Sequence, residues 1–344
     1  MKKIEIIIAV ASAMLLAASC AQSGTVGKND VAERSLNAWV TYQKTLHPEY
    51  KWEQTELGSW ILEETVGSGA ETGDPDDFPY IRYEITTYDL KGNITSTTSE
   101  ALARKLNQYS ATKFYGPSIS YRAGNGLYAG VEELVSRMKV GGSVKALIPG
   151  WLLTYKRYSS AEDYKDKVSG TDAIYEFRIV DSISDISGWE IDSLGRYISA
   201  NTALDPVSDS LKYGFYYIRT GAPSTEEALP SDTTVYLNYT GRLLNGKVFD
   251  TTIADTAKVH GLYSASKTYA PVQINMAAEY TDITMTSSKS SVKPGFSYAV
   301  SLMKAYEKGT AIFWSGLGYA ESGVGSSIPA WSPLIFELEL TDKK

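Results

Sequence analysis

Tyr239, Phe249 and Asp250 are the residues whose types and spacing first point to chemistry. They lie in the run VYLNYTGRLLNGKVFDTT, residues 235–252. Val235, Leu237 and Tyr239 alternate with Tyr236, Asn238 and Thr240, which predicts a strand with one buried face. Asn245-Gly246 predicts a tight hairpin turn, because both residues tolerate positive φ. Val248 and Phe249 then open the return strand, with Asp250 beside the aromatic ring. An aromatic next to a carboxylate at a strand end suits a small apolar site with one polar handle. The same pattern also fits an ordinary hairpin with a core Phe and a solvated Asp.

The elements that must position these residues follow further along. Val292-Lys293-Pro294-Gly295-Phe296 leads into SYAVSLMKAYEKGT, a short helix and a Gly turn. Gly318-Tyr319-Ala320 and Ile328-Pro329 precede a closing strand that holds Phe336. In this order the three blocks resemble the FKBP-type peptidyl-prolyl isomerases, whose opening hairpin runs roughly V-x-V-x-Y-T-G-x-L-x-D/N-G-x-x-F-D. The resemblance implies an α+β fold in which an antiparallel curved sheet wraps a short helix. It implies a cup with Phe296 as floor and Tyr239, Phe249 and Phe336 as walls. Tyr319 would hydrogen-bond a substrate carbonyl, and Asp250 would orient its neighbours or polarise the amide region. Val272, Val292 and Lys293 would contact the peptide, the last two through main-chain donors. The chain departs from the pattern at Phe296, where Trp is usual, and at Lys293, Ala320 and Val272. Segments Ile253–Tyr269 and Ala277–Ser291 read as insertions that would lengthen the flap over the cup, block it, or add a chaperone-like surface.

The activity so implied is rotation about X–Pro amides. Resonance sets that barrier at about 18–20 kcal/mol. No acid, base, nucleophile, metal or cofactor is required; the enzyme need only bind the twisted amide better than the planar one. The alternative is a non-catalytic binding module, chaperone or envelope-assembly lipoprotein on the same fold, since fold alone does not fix function.

The chain repeats itself once. Gly58-Ser59-Trp60-Ile61-Leu62 resembles Gly214-Phe215-Tyr216-Tyr217-Ile218, and each is preceded by a short helical segment. We therefore expect two tandem FKBP-like domains, 57–185 and 211–344, joined by a linker with a short helix at 186–210. Aligning Gly92 with Gly246 places Ile85 opposite Tyr239, Thr95 opposite Phe249 and Ser96 opposite Asp250. Val131 then matches Phe296, and Tyr175 matches Phe336. On this alignment the first copy keeps the fold and loses the site.

Composition bounds the rest. With 344 residues, 43% hydrophobic, the chain can bury two cores. A formal charge of −7 without a Lys/Arg cluster argues against nucleic acid. Two histidines and a single cysteine supply no zinc-ligand spacing. Lys2 and Lys3, the apolar run from Ile6 to Ala18, and LAAS before Cys20 resemble a bacterial lipoprotein signal. Residues 1–19 would be removed and Cys20 lipidated. Residues 20–56 read as a tether and a helical segment. The expected setting is the cell envelope, lipid-anchored and facing the periplasm or the outside, with proline-containing exported or unfolded polypeptides as partners.

Overall fold

The computed structural model describes residues 29–201, 214–287 and 290–342. Cys20 and the signal-like run lie outside the described residues, as does part of the linker. Two antiparallel sheets, each with its own helices, make up the described chain. The first half runs α1 (Asp30–Leu46), β1 (Glu53–Gln54), β2 (Trp60–Thr65), β3 (Tyr80–Tyr88) and β4 (Ile94–Thr97). It continues α2 (Glu100–Lys105), β5 (Ser118–Tyr121), α3 (Ala129–Ser136), β6 (Ser143–Ile148), α4 (Ala161–Lys167) and β7 (Ala173–Ile183). Next comes α5 (Ile186–Ala200). The second half runs β8 (Phe215–Gly221), β9 (Thr234–Leu243), β10 (Val248–Thr251), α6 (Ala254–Val259) and β11 (Val272–Asn275). It ends β12 (Thr284–Met285), β13 (Ser290–Ser291), α7 (Pro294–Leu302), β14 (Lys308–Phe313) and β15 (Leu334–Thr341).

The first sheet has strand order β1-β2-β6-β7-β3-β4, with β5 on β3; the second has β13-β12-β11-β9-β15-β14-β8, with β10 on β9. Stripped of β1, β12 and β13, the two orders are the same. Register matches too. Ala146 pairs with Ile61 and Tyr175, and Ala311 pairs with Tyr217 and Phe336. Gly92 and Gly246, the two hairpin-turn glycines, both have φ 84°. That left-handed conformation suits Gly.

Each sheet buries one face on a short helix. From α3, Val131, Leu134 and Val135, with Met138 just beyond, join the first core. From α7, Phe296, Ala299 and Val300, with Met303 just beyond, join the second. Pro294 stands in the first turn of α7, where its missing N–H costs nothing. The helices α1 and α5 also belong to the sheets. Leu36 and Val40 of α1 lie in the first core. Ile186, Glu190 and Leu194 recur at the helical period on the buried stripe of α5. Leu194 meets Ile218, Ile312 and Ile335 there. The expected tether and linker helices are therefore packed parts of the fold. Among the described residues, no helix is long and apolar enough to cross a membrane.

The segment Ile253–Tyr269 has a counterpart in the first half, so it is not peculiar to the second copy. The Ser110 N–H donates to the Tyr115 hydroxyl at 3.1 Å, and the Ser264 N–H to the Tyr269 hydroxyl at 3.0 Å. Tyr109 stacks on Tyr115 at 5.5 Å, and Tyr263 on Tyr269 at 5.3 Å. Ala277–Ser291 is the inserted segment that supplies β12 and β13 of the second sheet. The halves touch where the Phe114 N–H donates to the Ser326 carbonyl at 2.7 Å, and where Tyr80 meets Trp331 edge-on at 5.3 Å.

Leu147 is fully buried on β6. Leu147→Ala is expected to destabilise the first sheet by about 2–5 kcal/mol, the usual cost of such a cavity, measured by urea unfolding.

Candidate functional site

The hairpin β9–β10 presents the first part of the site. Its register slips between Val248 and Asp250, so that Asp250 comes to face Gly241. Such a bulge turns side chains away from simple alternation. The Tyr239 N–H donates to Thr252 Oγ1 at 2.9 Å, which ties the far end of the hairpin. The closing strand β15 lies alongside β9 and sets Phe336 opposite Gly241. A Cβ on Gly241 would fall 2.5 Å from Phe249 Cζ and 3.1 Å from Phe336 Cε1. The glycine is what lets the Phe249 ring lie over the strand.

Five aromatic rings converge there. Phe296 meets Phe336 edge-on at 5.1 Å, and Tyr239 meets Phe296 edge-on at 5.8 Å. Phe249 stands edge-on to Phe336 at 5.7 Å, and Phe313 backs Phe336 at 5.8 Å. Edge-to-face contacts of this kind hold rings at fixed angles. Phe296 and Phe336 are buried, while Tyr239, Phe249 and Tyr319 are half-buried and face a cavity.

That cavity has a volume of about 740 Å³. Tyr239, Phe249, Asp250, Phe296, Tyr319 and Phe336 all line it, as do Val292 and Lys293. Val272 does not; it sits on β11 opposite Leu237. Sequence reasoning missed Ile328, Val324, Thr281 and Met285 as lining residues. Ile328 lay in a quoted motif and could have been found. Thr281 and Met285 come from the Ala277–Ser291 segment, which here forms a wall of the cavity.

The polar side of the cavity is organised around Asp250. The Tyr239 hydroxyl donates to Asp250 Oδ2 at 2.6 Å, and the Thr251 N–H donates to Oδ1 at 2.9 Å. Lys267 Nζ pairs with Asp250 Oδ1 and donates to the Thr251 carbonyl at 3.0 Å. Lys267 carried no sequence signal, because it reaches back from a loop. Burial, then the Asp250 charge and hydrogen bond, push the Tyr239 phenol far up. Burial, then Asp250, also push the Tyr319 phenol up. Both phenols are therefore neutral donors at neutral pH. Across the cavity, Lys293 Nζ lies 4.6 Å from the Tyr319 ring centroid, a cation–π contact. The arrangement offers an aromatic cup with phenol donors at its edge. Among the described residues, no group of three or more His, Cys, Asp or Glu is placed to hold a metal.

Residues 225–341 match the family model for FKBP-type peptidyl-prolyl cis-trans isomerases. The likeness to that family is borne by this part of the chain. A probable FKBP-type peptidyl-prolyl cis-trans isomerase of Haemophilus influenzae is 30% identical over 116 residues, covering 34% of this chain and 37% of the relative. The FKBP-type 22 kDa peptidyl-prolyl cis-trans isomerase of Escherichia coli is 31% identical over 118 residues, covering 34% and 45%. The chain thus spans less than half the length of these curated relatives. Among solved structures, FkpA from Escherichia coli is similar at 24% identity and TM-score 0.32, over 46% of this chain and 61% of that one. The three FKBP domains of wheat FKBP73 are similar at 15% identity and TM-score 0.30, over 83% and 93%.

Set against this FKBP-type domain, the first half has different residues at the matching places. Its hairpin is held by the same bonds: the Ile85 N–H donates to Thr98 Oγ1 at 2.9 Å, and Thr86 bonds Thr97 at 2.8 Å where Thr240 bonds Thr251 at 2.9 Å. Thr87 stands where Gly241 does, opposite Tyr175. Thr87 Oγ1 bonds Thr95 Oγ1 at 2.7 Å, so a threonine pair occupies the place of Gly241 and Phe249. Tyr128 and Tyr155 lie 4.5 Å apart nearby. Burial, then Tyr128, Tyr83 and Tyr155, push the Tyr175 phenol up to about 12. Counting from the two 3-10 turns, Gly150–Leu152 and Ser315–Leu317, places Thr154 opposite Tyr319.

Gly241→Ala is expected to destabilise the FKBP-type domain by about 1–3 kcal/mol through overpacking against Phe249. Thr87→Ala in the first sheet should cost less, and urea unfolding of both variants checks the difference.

Proposed function

We propose that the chain is a peptidyl-prolyl cis-trans isomerase whose cup lies in the second of two domains, 57–185 and 211–344. The observation that carries this reading is the convergence of Tyr239, Phe249, Asp250, Phe296, Tyr319 and Phe336 on one cavity of an FKBP-type domain. The proline ring would sit on Phe296, between Tyr239, Phe249 and Phe336. Twisting the amide removes resonance and lowers the negative charge on its carbonyl oxygen. A water-poor aromatic cup disfavours the planar, more polar amide relative to the twisted one. The Tyr319 hydroxyl would donate to a substrate carbonyl. Asp250, fixed by Tyr239 and Lys267, would orient the cup's edge. Main-chain donors near Val292 and Lys293 would align the peptide.

The first domain, with Ile85, Thr95, Ser96 and Val131 at the matching positions, would serve as scaffold or contact surface. The signal-like run ending in Cys20 supports lipid anchoring in a bacterial cell envelope. Clients would then be exported polypeptides whose folding waits on X–Pro bonds. Uncatalysed, those bonds exchange over tens to hundreds of seconds, slow enough to limit folding.

The test is refolding of a proline-limited substrate protein by the full chain. Acceleration is expected, with Tyr239→Phe and Asp250→Ala each lowering it about 2- to 10-fold, as suits one lost hydrogen bond. A full chain that leaves the slow phase unchanged, yet still holds unfolded protein, would instead identify a binding module.

A further inference from the structure

We propose that Glu190 of the linker helix α5 is a positioning residue for the cup, holding the turn that carries Tyr319. The inference rests on the isomerase reading for its functional consequence. Its structural basis is independent of that reading.

Glu190 is completely buried, on the same stripe of α5 as Ile186 and Leu194. A carboxylate at such a place needs donors, because an unpaired buried charge is costly. Both come from one residue. The Ser315 N–H donates to Glu190 Oε2 at 2.6 Å, and the Ser315 hydroxyl donates to Oε1 at 2.6 Å. Ser315 opens the 3-10 turn Ser315–Leu317, and Gly318 and Tyr319 follow directly. The Gly318 N–H closes that turn on the Ser315 carbonyl at 2.8 Å. Glu190 therefore grips the first residue of the turn whose exit sets Tyr319 at the cavity. Burial pushes the Glu190 carboxyl up, and the Ser315 donors pull it back down.

In the first half the corresponding turn N–H is also bound by a carboxylate, supplied by a different element. Gly150 opens the corresponding turn, Gly150–Leu152. Its N–H donates to Asp172 Oδ1 at 2.8 Å. Asp172 precedes β7, whose first residue Ala173 pairs with Ile148. In the second half the residue before β15 is Pro333, and Leu334 pairs with Phe313. Proline carries neither a carboxylate nor an N–H. The same turn N–H thus bonds a carboxylate from the residue preceding β7 in the first half and from the linker helix in the second. Aligning the leucines Leu36 and Leu194 of the two helices puts Ala32 at the place of Glu190. The acidic group is present once in each half, on different elements. The cup of the second half is completed by a helix that precedes it in the chain and follows directly on the first sheet.

The test is amide hydrogen exchange on the full chain, with X–Pro peptide kinetics as a second readout. Glu190→Ala is expected to speed exchange at Ser315, Leu317 and Gly318 about tenfold or more, as suits a lost charge-assisted bond. Exchange at Gly150–Leu152 should not change. Glu190→Gln, whose amide oxygen can still accept from the Ser315 N–H, should recover much of the protection. KM for the peptide should rise with the loosened turn while kcat holds. If Glu190→Ala does not fold, Glu190→Asp, one methylene short, is expected to give the local loss. Exchange at Ser315–Gly318 that matches the parent, or that rises equally across β14 and β15, overturns the proposal. A chain without isomerase activity that still shows the local exchange change sinks the isomerase reading alone.

Discussion

The cup depends on one close approach, the Phe249 ring lying over the backbone of Gly241 beside Phe336. Antiparallel register between Leu334–Thr341 and Thr234–Leu243 brings Phe336 opposite Gly241, and only the missing Cβ leaves room for the second ring. Where the first sheet carries Thr87 at that place, Thr95 stands in the place of Phe249 and the two side chains hydrogen-bond each other. A glycine with a phenylalanine, or a threonine with a threonine, satisfies the same hairpin. The first choice leaves a wall facing a cavity. The second ties the hairpin to itself.

Around that contact the polar groups fall into place by necessity. Tyr239 must bury its ring on Phe296 and still satisfy its hydroxyl, and Asp250 is the acceptor within reach. Asp250 in turn draws Lys267 from the loop after α6. That ion pair is half-exposed, so it contributes little stability by itself. What it does is fix the direction of the carboxylate at the edge of the cup. Glu190 does the corresponding work on the other side, through the turn that leads to Tyr319.

Much of this was legible in the sequence. Period-2 alternation from Val235 to Thr240 predicted a strand where Thr234–Leu243 forms one, and the Asn-Gly signal placed the second hairpin turn. The repeat was legible because each half needs the same glycine turns and helix ends. The pairings Ile85 with Tyr239 and Tyr175 with Phe336 agree with the register. Contacts that join residues far apart in sequence were not legible. Lys267 has no periodic or motif signal, since only the fold of its loop brings it to Asp250. Val272 was placed at the cup by analogy; it packs on the second core opposite Leu237 and is not among the residues lining the cavity. Glu190 reads in sequence as one charged residue on a helix. Its role exists only once Ser315 is beneath it.

The central claim is that this cup lowers the barrier to X–Pro rotation. Two-dimensional exchange NMR on a short peptide with an apolar residue before proline tests it most directly, because it reads the cis and trans resonances at equilibrium with no folding step. With catalytic amounts of the full chain, cross-peaks between the two forms should emerge at sub-second mixing times, against an uncatalysed exchange of tens of seconds or more. Peptide that binds the chain, shown by its shifted proline resonances, yet gives no exchange cross-peaks would contradict the account.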